Sequence, residues 1–115
     1  MTDNLIELKK QLFKLYNDVN KEIYGSGVVE LKINITDDMI IFKTRHNRVP
    51  ALQAIEANYA QLKQSVDQAL FCEFKVRLRK QIEEKTNIRP QAMLRDYDSA
   101  FQTAITVVVI EELGL

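Results

Sequence analysis

At the start of the chain, apolar positions recur every three or four residues: Leu5, Leu8, Leu12, Leu15 and Val19, widened by Ile6, Phe13, Tyr16 and Ile23. This spacing predicts an amphipathic helix, capped by Asp3 or Asn4. It stops at Gly25-Ser26-Gly27, where glycine can take the left-handed conformation that ends helices. The period then drops to two. Val29, Leu31, Ile33 and Ile35 fall on one face and Glu30, Lys32 and Asn34 on the other, the pattern of a half-buried strand. Thr36-Asp37-Asp38 supplies a turn. Met39 to Thr44 returns as a second strand, with Ile40 and Phe42 on one face and Met39 and Ile41 on the other.

From Pro50 to about Thr86 the helical period resumes without a glycine or a second proline. Unbroken, a helix of that length spans roughly 55 Å at 1.5 Å per residue. A compact domain of this size has a radius of gyration of about 13 Å, so the helix must bend, break or project and be covered by a partner. Its first part carries Leu52, Ile55, Tyr59, Leu62, Val66 and Ala69, a stripe of coiled-coil type. From Leu70 the stripe becomes Leu70, Phe74, Leu78 and Ile82, with Phe71 alongside. That shift rotates the seam, so the two halves face different neighbours, and a hinge is expected between Val66 and Leu70.

After Asn87 and Arg89-Pro90, Gln91 to Tyr97 predicts a third strand of mixed polarity, and Asp98-Ser99-Ala100 a turn. Phe101 to Glu111 predicts a fourth strand. Val107 to Ile110 is apolar on both faces, as in a central or doubly covered strand. The expected fold is a single α+β domain over residues 1–115, a two-layer sandwich in the order α-β-β-α-β-β. It has a four-stranded, mainly antiparallel sheet with one short and one very long helix. The order is an αββ unit used twice.

Composition narrows the functional classes. Sixteen basic and sixteen acidic residues cancel, so no global field steers the chain to nucleic acid or anionic lipid. Cys72 is the single cysteine, which excludes an internal disulfide or a cysteine-rich zinc site. Thr2, Asp3 and Asn4 lead straight into the helical pattern without a basic leader or apolar signal core. The longest apolar run, Ile105 to Ile110, is too short to cross a bilayer. A soluble, cytoplasmic chain without direct membrane insertion is the expectation.

Four sets of residues invite chemistry. Lys43, Arg45, His46 and Arg48 lead into Pro50, and basic side chains beside a helix start can hold a phosphate or carboxylate; the plainer reading is a solvated strand end. Gly25-Ser26-Gly27 follows a helix and precedes a strand, the reverse of a phosphate-cradling loop. Lys75, Arg77, Arg79, Lys80, Lys85 and Arg89 make the end of the long helix basic. Spacings of four pair Glu73 with Arg77, Arg79 with Glu83 and Lys80 with Glu84, and no aromatics interleave to stack bases, which weighs against nucleic acid. Asp37-Asp38 and Asp96/Asp98 read as turn aspartates. No triad, metal cluster or cofactor fingerprint is present, so a non-catalytic chain without cofactor or metal is expected.

The order of segments resembles the bacterial MpsC-like family over roughly residues 5 to 112. The carriers are Glu22-Ile23-Tyr24-Gly25-Ser26-Gly27, Asp38-Met39-Ile40-Ile41, Val49-Pro50, Ile82-Glu83-Glu84-Lys85-Thr86, Asp96 to Ser99, and Val107-Val108-Val109-Ile110-Glu111-Glu112. Family members tend to carry an arginine between the glycines and a proline after them, where this chain has Ser26 and Val28. They also favour a Leu-Thr-Pro entry to the long helix, replaced here by Arg48-Val49-Pro50. The resemblance implies a soluble accessory role in a membrane cation or inorganic-carbon transport system, with a protein partner there. Together with the uncovered helix stripe, it leads to an expected homo-oligomerising interaction or regulatory domain. The homodimer would form through Leu52, Ile55, Tyr59, Leu62 and Val66. The alternative is a module binding nucleic acid or a small anion.

Overall fold

Tyr24 is the last residue of a 23-residue helix, α1 (Thr2–Tyr24), and the chain leaves it through Gly25 at φ +80°. The Gly25 N–H closes on the Lys21 carbonyl at 2.9 Å, and Asn17 Oδ1 takes the Val28 N–H at 3.0 Å. In this computed structural model the described residues are 2–45, 49–98 and 100–113, with side chains from Asn4 onward.

The remaining elements are β1 (Glu30–Ile35), β2 (Met39–Arg45), α2 (Pro50–Glu56), α3 (Ala60–Lys85), β3 (Pro90–Asp98) and β4 (Thr103–Ile110). The sheet order is β1-β2-β4-β3 with every neighbouring pair antiparallel. Each helix-and-hairpin unit thus supplies one outer strand and one inner strand, and the inner strands β2 and β4 meet. The doubled αββ reading holds as architecture, and the strand apolar on both faces is central. Thr36 and Asp38 close the first hairpin: Thr36 Oγ1 donates to Asp38 Oδ1 at 3.1 Å and accepts the Met39 N–H at 3.1 Å. In the second hairpin, Asp98 Oδ1 takes the N–H groups of Ala100 and Phe101. Ser99, placed in that turn by the sequence, lies outside the described residues.

Helices α1 and α3 pass antiparallel over one face of the sheet. Gln11 meets the end of α3 at the Lys85 carbonyl, while Tyr24 meets Phe74. The core lies between these layers. Leu8, Leu12, Leu15, Tyr16 and Val19 of α1 pack on Phe74, Leu78 and Ile82 of α3, and on Ile40, Phe42, Val108 and Ile110 of the sheet. Full burial of side chains of this size stabilises by about 1.5–3 kcal/mol each. Ile6 and Phe13, counted with the inward stripe, stand on its outer margins and are half exposed. Val29 likewise falls outside the buried row: it precedes β1, and its N–H bonds the Arg45 carbonyl.

The long helical stretch is not continuous, and its break is not between Val66 and Leu70. It falls at Ala57–Tyr59, where Tyr59 leaves helical geometry at φ −132° and ψ 49°. Asn58 competes for its own backbone and tyrosine loses rotamer freedom in a helix, so Asn58-Tyr59 is the weakest helical pair there. The bonds Tyr59 N–H to Ile55 and Lys63 N–H to the Tyr59 carbonyl bracket the bend. Residues 66–70 stay helical within α3, and the seam changes neighbours, meeting the core from Phe74 onward, without the backbone turning. The helix ends at Lys85, two residues before Asn87. Thr86 Oγ1 donates to the Ile82 carbonyl and accepts the Ile88 N–H.

Candidate functional site

Two surfaces stand out, and neither is a closed pocket. The first is the arm formed by α2 and the front of α3. Among residues 50–73 none is buried, whereas Phe74, Leu78 and Ile82 are wholly so. Leu52, Ile55 and Val66 are half-buried, and Tyr59 and Leu62 are 58% and 54% exposed. Of the rotated seam, Phe74, Leu78 and Ile82 serve the chain's own core, while Leu70 is half-buried outside it. The arm gives the molecule extents of 51 × 24 × 21 Å.

The second surface is the open face of the sheet, away from the helices. Strand alternation sends Lys32 of β1, Lys43 and Arg45 of β2, Ile105 and Val107 of β4 and Leu94 and Asp96 of β3 to this side. Lys43 and Arg45, two of the anion candidates, line a shallow depression of about 150 Å³ with Glu30, Lys32, Thr44 and Thr103. His46 and Arg48 lie outside the described residues. The helix behind this loop, α2, is only seven residues long.

The basic end of α3 is partly self-paired. Arg77 Nε binds Glu73 at 2.9 Å and its Nη1 reaches Glu22 of α1 at 3.2 Å. Those bonds, Glu73 first, raise the Arg77 pKa. Arg79 donates to the Pro90 carbonyl, and among the described residues neither it nor Lys80 is ion-paired. Cys72 is exposed. Among the described residues, no three histidine, cysteine or acidic side chains come together as a metal site.

One polar cluster was not singled out from sequence. Arg95 of β3 turns toward the helices and donates through Nη1 to Tyr16 Oη at 2.6 Å and Thr106 Oγ1 at 3.1 Å. Tyr16 Oη also lies 3.4 Å from Thr44 Oγ1. The guanidinium sits 3.9 Å from the Phe74 ring centroid, a cation–π contact that replaces part of the lost hydration. The signal was the alternation of Met93, Arg95 and Tyr97, which puts Arg95 at a core register position. The cluster ties α1 to the sheet and presents no nucleophile. Tyr24 beside it is held neutral by burial, which raises its pKa against the opposing pull of Arg95.

A family model described as "Na+-translocating membrane potential-generating system (MpsC)" matches residues 5–112. The chain belongs to the MpsC family. No curated protein and no solved structure matches it. In this MpsC chain the segments that carried the resemblance fall mostly at element ends: the close of α1, the opening of β2, the start of α2 and the cap of α3. No helix among the described residues is long and apolar enough to cross a membrane.

Proposed function

We propose that this MpsC-family chain is a non-catalytic, homo-oligomerising interaction or regulatory domain. It would serve a Na+-translocating, membrane potential-generating system as a soluble accessory protein from the cytoplasmic side. The observation that carries the reading is the arm: among the described residues Leu52, Ile55, Tyr59, Leu62 and Val66 lie outside the core and none is buried. An apolar helical stripe of this kind is best buried against a second copy of itself. The family description supports the accessory role. Leu62→Glu tests the arm, because glutamate is a good helix former and Leu62 is outside the core. Light scattering is expected to show at least twice the 13.3 kDa chain mass for the wild type and a lower mass for Leu62→Glu. Equal masses would remove the arm from the account.

A second reading is small-anion binding at Lys43 and Arg45, favoured by the depression they line with Lys32. Titration with inorganic phosphate should shift the Lys43 and Arg45 amide resonances, and Arg45→Ala should abolish the shifts. Resonances unmoved at millimolar phosphate would dispose of this reading.

A further inference from the structure

The open face of the sheet is apolar in the middle, with Glu30 and Lys32 at its β1 margin and Asp96 and Asp98 at its β3 margin. At its centre Ile41 pairs with Val107 and Met39 with Val109, and Leu94 lies beside Val107. Leu94 is 62% exposed. In the next row across the strands the residues read Lys32, Lys43, Ile105, Asp96 from β1 to β3. Lys32 and Lys43 are direct cross-strand partners of like charge, an arrangement that destabilises a sheet unless a negative group comes in from outside. Among the described residues none of Lys32, Lys43 and Arg45 has an ion-pair partner.

We infer that this face is an isologous interface that takes a second copy of the chain, sheet against sheet. The pattern is self-complementary under one operation, a two-fold axis parallel to the strands and lying between β2 and β4. That rotation places β1 of one copy over β3 of the other and β2 over β4. Lys32 then faces Asp96 across the interface in both directions, and Ile41 and Met39 face Val107 and Val109. Arg45 faces Thr103 of the second copy and lies beside the facing carboxylates of its own copy's Glu30 and the second copy's Asp98. Stacked sheets lie about 10 Å apart with a crossing near −30°, a distance that side chains of this size fill.

Four strands spaced by about 4.8 Å and roughly 23 Å long cover on the order of 450 Å² in projection per copy. Both copies together come near the roughly 1,000 Å² of the smallest specific interfaces, so the contact is weak and depends on concentration. This contact is separate from the arm and does not rest on it. A chain with two isologous contacts forms either a closed tetramer or an open array.

The test is built on Leu62→Glu, which removes the arm contact. At high micromolar concentration this variant is expected at twice the chain mass, and adding Leu94→Glu should return it to one. Lys32→Asp should weaken the association several-fold, and combining it with Asp96→Lys should restore it, which a free anion at the lysines would not reproduce. Circular dichroism on each variant checks that the fold is kept. A second measurement uses Lys32→Cys with Asp96→Cys on a Cys72→Ser background. Within one copy these positions sit on the two outer strands, about 14 Å apart and beyond disulfide reach. Facing strands of the two copies lie about 10 Å apart, which is also beyond a disulfide, so a bis-maleimide that spans this gap and not the roughly 14 Å within a copy should give a covalent dimer. A single chain mass for Leu62→Glu at the highest concentration, together with no cross-link, overturns the proposal. So does failure of the charge exchange to restore association.

Discussion

Arg95 is a positive charge held under the helix layer with no carboxylate beside it among the described residues, and its Nε and Nη2 find no hydrogen-bond partner there. Its stability depends on Tyr16, Thr106 and the Phe74 ring. Tyr16→Phe deletes an acceptor from a buried charged donor and should cost about 1.5–3 kcal/mol in urea denaturation. In an Arg95→Met background the same change should cost less than about 1 kcal/mol, because no charge is then left unpaired. Tyr24 gives a pH signature. Its raised pKa, due first to burial, means the folded state keeps the phenol proton that the unfolded chain loses near pH 10.0. Its contribution is therefore fully present below pH 10 and lost as pH rises through the folded-state value. Alkaline unfolding followed by circular dichroism should shift to higher pH in Tyr24→Phe. Gly25→Ala should cost about 1 kcal/mol or more, read as a lower Tm, since φ is +80° there and L-residues resist it. Glycine as the helix stop was legible from its place after the apolar stripe. Arg95 was not, because an arginine within a strand of mixed polarity reads as solvent-facing until Tyr16 and Phe74 arrive from other elements.

Among the elements, periodicity located both hairpins and both main helices because each buries one face and carries its own pattern. Thr44 and Thr106 lie on the buried side, where their hydroxyls are satisfied by Tyr16 and Arg95, so polarity alone does not end a strand's core face. The helix break was misplaced for a related reason. A rotated stripe records a change of neighbours, whereas the bend at Ala57–Tyr59 records the local weakness of Asn58-Tyr59. Asn58→Ala should raise helicity, seen as a more negative 222 nm signal, and an unchanged signal would mean the bend is not set by propensity. Lys43 and Arg45 were picked from their place at a strand end. Their neighbour Lys32 was not, since cross-strand register is invisible along the chain.

At the scale of the whole molecule, two αββ units share one sheet, one core and one covered face, and two apolar surfaces remain outside it. The radius of gyration of 14.8 Å exceeds the roughly 13 Å of a compact domain of this length. The excess comes from an arm none of whose residues joins the buried core, and such a segment is costly to keep unless something covers it. The sequence resemblance and the family match agree on residues 5 to 112, and the expected α+β fold forms, except that the long helix is split into α2 and α3 and α1 is nearly as long as α3. The central claim is that the arm joins copies of the chain. Multi-angle light scattering across the micromolar range tests it most directly. The account predicts at least twice 13.3 kDa for the wild type and a lower mass for Leu62→Glu, and a wild-type chain at 13.3 kDa throughout would contradict it.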